Sequence, residues 1–142
     1  MISYDLVLTD QPTDADTAAV SDGLDEFNLA AAGVQDRQPL AVLVKDPDSG
    51  RTLGGLTGRT SLGLWFVDLL YLPDSLRGSG LGGRMLQQAE TEARRRGCVS
   101  GFVYTISFQA PKFYKHHGWT EFGRIPTESL GISRIFLTKT LD

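Results

Sequence analysis

Two rhythms of apolar residues run along the chain. Val20, Leu24, Phe27 and Ala31 recur at helical spacing. Thr13 stands ahead of them as an N-cap, with Asp16 three residues on as an acidic form of the capping box. Gly33 is placed to stop the helix. Gly23 lies inside the pattern and predicts a bend or a break. A second stripe, Leu81, Met85, Ala89 and Ala93, repeats every four residues, and Leu86 widens it. Arg84, Gln87, Gln88, Thr91, Glu92, Arg94 and Arg95 fill the opposite face. Arg94, Arg95 and Arg96 suit the negative end of the helix dipole, and Gly97 caps it. Pro111 to His117 reads as a short helix with proline in its first turn.

Shorter apolar runs predict strands. Tyr4 to Leu8 reads as a first strand. Leu40 to Lys45 and Thr52 to Thr60 read as a hairpin around Asp46-Pro47-Asp48-Ser49-Gly50, where Pro presets φ and Gly supplies a left-handed residue. Leu62 to Leu72 is the most apolar stretch, interrupted by Gly63 and Asp68, and predicts a central strand buried on both faces. Cys98 to Thr105, Trp119 to Phe122 and Ile132 to Leu141 complete the set. The order β-α-β-β-β-α-β-α-β-β predicts an α/β fold of the α+β kind: a central mixed sheet of about six to seven strands, flanked by helices. With no repeat, low-complexity tract or long linker, residues 1–142 read as a single domain.

Composition narrows the classes of function. A chain of 142 residues with 41% apolar content can bury a core without disulfides or a metal. A net charge of −3 and no Lys/Arg run beyond the three arginines Arg94, Arg95 and Arg96 argue against a nucleic-acid partner. The lone cysteine, Cys98, offers no internal disulfide and fits a reducing cytosol. The N-terminus lacks a basic stretch followed by an apolar run, and no window is long and apolar enough to span a membrane, so a cytoplasmic location is expected.

The densest chemical signal is Arg77-Gly78-Ser79-Gly80-Leu81-Gly82-Gly83. It satisfies G-x-G-x-x-G, but Pro73 to Arg77 separate it from the preceding strand, and residues 98–105 lack the acid that a dinucleotide site wants. A Walker A loop would need Gly-Lys-Ser/Thr, which is absent. A ligand-free turn needs one or two glycines, whereas four fall within six residues here. Bare N–H groups at a helix start, with Arg77 at the entrance, suit a phosphate.

Leu72 through Leu86 resembles the central motif of the GCN5-related N-acetyltransferase (GNAT) superfamily, Arg/Gln-x-x-Gly-x-Gly/Ala, met by Arg77, Gly80 and Gly82. Ser107 to Trp119 resembles the family's later motif, with Gln109, Ala110, Phe113-Tyr114 and Gly118-Trp119. The resemblance implies that the strand Leu64 to Leu72 and the following strand splay apart, and that the pantetheine arm of acetyl-CoA lies in the gap. Backbone groups of Leu70, Tyr71 and Leu72 would meet the pantetheine and the thioester. Arg77, Gly78, Ser79, Gly80, Leu81, Gly82 and Gly83 would hold the pyrophosphate, and Gln109 and Lys115 are further cofactor contacts. Many members carry asparagine at the position of Gln109. Tyr114 matches the family's acid for the CoA thiolate. The implied activity is direct transfer of acetyl from acetyl-CoA to a small-molecule primary amine in a ternary complex, without a metal. A CoA-binding sensor and a protein- or RNA-directed acetyltransferase are its rivals. Dimerisation is common in the family, which allows a homodimer.

Other residues stand apart from the motifs. Asp68, an acid in an apolar strand, is a candidate base or amine anchor, or a partner for Arg59, and alternation puts it on the face of Leu70 and Leu72. His116 and His117 point different ways on a helix and, with no other histidine, argue against a zinc site. Cys98 reads as a small core residue. Trp65 and Trp119 read as core or dimer packing, Trp65 also as a candidate lining of the acceptor cleft. Arg134 lies in a final strand that in this fold borders the acceptor or a dimer contact. The acceptor itself carries no readable motif; Asp22, Asp25 and Glu26 lean toward a cationic amine.

Overall fold

A computed structural model describes every residue except 108 and 128–130. The chain divides into two compact units, Met1–Gln35 and Asp36–Asp142. The first is built on α1 (Asp14–Ala32). The capping box forms: the Asp16 N–H donates to Thr13 Oγ1 at 3.1 Å, and the Thr13 N–H donates to Asp16 Oδ2 at 3.0 Å. That donation holds the Asp16 carboxyl below the usual carboxylate range. Gly33 ends the helix in the left-handed region, its N–H on Leu29 O. Gly23 does not break the helix, which runs on for 19 residues. One interior glycine costs about 1 kcal/mol, and a satisfied N-cap restores about as much. Residues 4–8 form no strand. A strand is stable only in a ladder, and the described residues of this unit hold no second strand to pair with.

The second unit contains β1 (Gln38–Lys45), β2 (Thr52–Ser61), β3 (Leu64–Tyr71), α2 (Leu81–Arg95), β4 (Ser100–Ile106), α3 (Pro111–His116), β5 (Thr120–Thr127) and β6 (Ile132–Thr140), with a 3-10 turn at Asp74–Leu76. The six strands form one mixed sheet in the order β1-β2-β3-β4-β6-β5. β3 and β4 run parallel, and the other neighbours pair antiparallel. The hairpin turn is as expected: Asp46 Oδ1 accepts from the Asp48 N–H at 2.9 Å, and Gly50 has φ 73°.

The core of the second unit lies between one face of the sheet and the helices α2 and α3. Leu40, Leu56, Trp65 and Val67 meet Met85, Leu86, Ala89 and Ala93 of α2. Tyr114, Trp119, Ile135 and Leu137 extend it, and Cys98 is a core residue as expected. Trp65 and Trp119 pack with ring centroids 5.6 Å apart. The other face carries Phe66, Phe102, Tyr104, Phe122 and Phe136 in mutual ring contact.

The strand expected to be buried on both faces is not. Trp65 and Val67 are buried on one face, but Leu64 and Phe66 on the other are only half-buried, and Asp68, Leu69 and Tyr71 are exposed. The cause is a β-bulge. Val67 pairs with Gly58 and Leu69 with Thr57, so Asp68 is an extra residue in β3. One extra residue reverses the alternation. Leu70 and Leu72 therefore join Trp65 and Val67 on the core side, and Asp68 turns away from them. This overturns the expectation that Asp68, Leu70 and Leu72 share a face. Gly58 makes room for the bulge: a Cβ there would overlap the Phe66 carbonyl and come within 3.3 Å of the Asp68 nitrogen. Gly58→Ala is expected to cost about 3 kcal/mol through backbone displacement, seen as a lower urea midpoint. A midpoint equal to that of the parent would show that the bulge tolerates a Cβ.

Candidate active site

The pairing of β3 with β4 covers Leu64 to Val67 against Ser100 to Val103 and then stops. β3 nevertheless continues to Tyr71 along β2, and β4 continues to Ile106 along β6. The two central strands part, as the resemblance implied, and the gap has strand edges on both sides. Such edges offer N–H and C=O groups to an extended ligand. Leu70 is half-buried against the core, and Tyr71 points to the other face and is exposed. The Leu72 side chain is buried, and its carbonyl accepts from Arg77 Nε at 2.7 Å, which leaves the Leu72 N–H as its remaining backbone group.

Arg77 also pairs with Asp74 at 2.7 Å. Its guanidinium thus braces the turn from β3 toward α2. Gly78 and Gly80 both take left-handed φ, 81° and 82°. Gly80 is the N-cap of α2 and has no side chain to offer, and the first turn carries no acid. The first backbone bond back to the cap is Arg84 N–H to Gly80 O, so the N–H groups of Leu81, Gly82 and Gly83 have no partner within the helix. The helix dipole adds positive potential there, the requirements of an anion site. Ser79 Oγ lies 3.5 Å from Leu76 O.

The sequence reading gave all four loop glycines to the ligand. Two have another reason. A Cβ on Gly82 would stand 3.1 Å from the Phe113 ring, and one on Gly83 would stand 2.6 Å from the His117 ring. These glycines let α3 lie against the first turn of α2. The same Gly82 position is 3.8 Å from Leu72 Cδ1, so the end of β3 abuts this helix start.

On α3, Tyr114 is 5% exposed and packs edge-on against Phe113 and Trp119. Burial pushes its phenol up to about 12, so it stays protonated at neutral pH. Gln109 folds back on the end of β4: its Oε1 accepts from the Ile106 N–H at 3.0 Å and from Thr105 Oγ1 at 3.2 Å. Its amide nitrogen is the group left for a ligand. Lys115 pairs with Glu121 at 3.2 Å. Asp68 pairs with Arg59 at 3.0 Å, and that guanidinium lies 4.0 Å over the Phe66 ring. Asp68 is therefore on the aromatic face, and Tyr114 is on the core face. Arg134 sits opposite Ile106 and Ile125 on β6. Phe108 of the second motif lies outside the described residues.

Beside the glycine loop is a cleft of about 380 Å³, bordered by Gly80, Gly83, Arg84, Glu90, His117 and Lys139. Sequence reasoning missed Glu90, His117 and Lys139 here. Glu90 had a signal: it is four residues after Leu86, on the apolar stripe. His117 is pushed toward its neutral form by burial, by His116 and by Lys139. Among the described residues, no group of His, Cys, Asp or Glu is arranged to hold a metal ion, and no helix is long and apolar enough to cross a membrane.

Residues 38–121 match the family model described as Acetyltransferase (GNAT) domain. The chain is 35% identical over 133 residues to Acetyltransferase Atu2258 of Agrobacterium fabrum, covering 94% of this chain and 96% of that protein. It is 37% identical over 116 residues to Blasticidin-S acetyltransferase of Streptomyces morookaense, covering 80% and 85%. The crystal structure of an acetyltransferase from Bacillus cereus superposes with a TM-score of 0.75 at 28% identity, covering 95% of this chain and 98% of that one. With an uncapped helix start against a parted strand pair and a family match over more than half its length, the chain belongs to the GNAT acetyltransferase family.

Proposed function

We propose that this protein transfers the acetyl group of acetyl-CoA directly to a primary amine of a small molecule. The observation that carries the proposal is the contact between the open end of β3 and the uncapped start of α2, which puts a strand edge and an anion site side by side. An extended chain ending in a pyrophosphate needs both. The relative named for blasticidin S supports a small-molecule acceptor. Alignment over 94% of the chain supports reading both units as parts of one acetyltransferase domain. We place it in the cytosol, where a lone buried thiol such as Cys98 stays reduced.

Bound acetyl-CoA supplies the activated thioester. The N–H groups of Leu81, Gly82 and Gly83 receive the pyrophosphate, helped by Arg77 and the Ser79 hydroxyl. Backbone groups of Leu70 and Tyr71 and the Leu72 N–H hold the arm along β3, and an N–H on this edge receives the carbonyl oxygen as it gains charge. The amide nitrogen of Gln109 and the ammonium of Lys115 add contacts from the α3 side. The acceptor ammonium first loses one proton to water. The C–N bond then forms as the C–S bond breaks, Tyr114, protonated and buried, donates its proton to the departing sulfur, and the second proton of the amine restores the phenol. Asp68, with one oxygen on Arg59, keeps the other for the acceptor ammonium on the opposite face. A purely CoA-binding module has no use for a buried protonated phenol at this place.

Tyr114→Phe is expected to lower kcat about a hundredfold with little change in acetyl-CoA affinity. Unchanged turnover would remove Tyr114 from the chemistry. In the parent enzyme Tyr114 loses its proton only as pH rises through about 12, so the rate profile should show no descending limb from this group below pH 10; a descending limb that disappears in Tyr114→Phe would contradict this. Asp68→Asn is expected to raise the acceptor KM about tenfold and leave the acetyl-CoA KM unchanged. A change confined to acetyl-CoA would place Asp68 elsewhere in the mechanism.

A further inference from the structure

Glu90 is the charged residue that α2 buries, at 9% exposure. Its oxygens are shared out. Oε1 takes the Lys139 ammonium at 2.7 Å, and Oε2 takes the Arg94 guanidinium at 2.8 Å. Lys139 reaches in from β6, and the same ammonium donates to the His117 carbonyl at 2.9 Å, just past the end of α3. Its stem lies 3.3 Å from where a Gly118 Cβ would stand. The His117 ring in turn rests on Gly83, seven residues before Glu90 and on the same side of α2. One ammonium therefore joins α2, β6 and the end of α3.

We propose that Lys139, held by Glu90, is a positioning residue: it seats α3 on the first turn of α2 and so sets the open N–H groups of that turn against Tyr114. A mostly buried ion pair with a second acceptor is suited to this, because the ammonium is fixed by two acceptors, Glu90 Oε1 and the His117 carbonyl, and the loss of Glu90 leaves its charge uncompensated. The inference rests on reading the α2 start as the CoA anion site. A simpler alternative is that Lys139, which borders the cleft, only attracts the phosphates. The two ideas differ in sign at Glu90. Removing Glu90 makes the cleft more positive and would tighten a purely electrostatic hold on a polyanion. It would loosen a hold that depends on position.

The test is calorimetric titration of the full chain with CoA, comparing Glu90→Ala and Lys139→Met. Each is expected to weaken CoA about tenfold, with the double variant no worse than either single one, and Lys139→Arg is expected to recover part of the loss. Glu90→Ala binding CoA as tightly as the parent, or more tightly, overturns the proposal, as do additive losses. Should Glu90→Ala fail to fold, Glu90→Gln keeps an acceptor oxygen without the charge and is expected to lose about threefold; no loss there overturns it equally. If the parent binds no CoA, the anion-site reading fails, and hydrogen exchange without ligand decides the clamp alone. Faster exchange over residues 111–118 in Glu90→Ala upholds it, and unchanged exchange overturns it. CoA affinity does not use the Tyr114 proton, so Tyr114→Phe with full turnover would sink the acid role and leave this result standing.

Discussion

One inserted residue in β3 sets the geometry of the whole site. Asp68 has no partner across from it on β2, and the bulge bends β3 at the position where its ladder with β4 ends. A regular strand would have kept pairing, and the sheet would have been closed. The bulge also reverses the alternation, so that Leu70 and Leu72 point into the core and hold the parted strand down. Parting two central strands gives up ladder hydrogen bonds, and the groups left open are affordable because a ligand can take them. Gly58 is the condition for this arrangement, since its missing side chain leaves room for the Phe66 carbonyl.

The glycine loop serves two masters. Its left-handed residues turn the chain so that α2 starts bare, with no side-chain cap and no acid nearby. Its later glycines face inward and receive the rings of Phe113 and His117. The same helix turn is therefore open toward a ligand and close-packed toward α3. That combination makes the site stiff. An N–H group can only favour an anion strongly if it need not move to meet it, and the packing of α3 is what prevents movement.

Much of this was legible in the sequence because it is local. The Thr13–Asp16 box, the Asp46 to Gly50 turn, the α2 stripe and the glycine loop each depend on residues within a few positions of one another. The later motif from Gln109 to Trp119 placed α3 correctly for the same reason. The failures are equally physical. Tyr4 to Leu8 has the composition of a strand, but pairing is not a property of a segment. The bulge at Asp68 depends on Gly58, ten residues earlier on another strand, and alternation alone cannot show it. Lys139 and Glu90 lie far apart in the chain, and a lysine in an edge-like strand pattern reads as solvated. Glu90 on the apolar stripe of α2 was the visible half of that pair.

The two faces of the sheet differ in their chemistry. Asp68 follows Phe66 onto the aromatic face, where it pairs with the Arg59 guanidinium that lies over Phe66. Tyr114 lies on the other face, buried by Trp119 and Phe113. The gap between β3 and β4 is then the passage between a charged, open side and an apolar, closed one. Burial keeps the tyrosine protonated, and the carboxylate lies exposed to water. The proposed acetyl transfer to an amine would use this asymmetry, because the nucleophile arrives charged and must lose a proton while the leaving sulfur must gain one. Had alternation continued unbroken from Phe66 and Val67, Asp68 would still face the aromatic side, but Leu70 and Leu72 would have joined it there and Leu69 and Tyr71 would have turned to the core. The inserted residue instead puts Leu70 and Leu72 beneath the parted strand, so a single backbone irregularity gives the end of β3 an apolar side toward the core while Asp68 stays on the other.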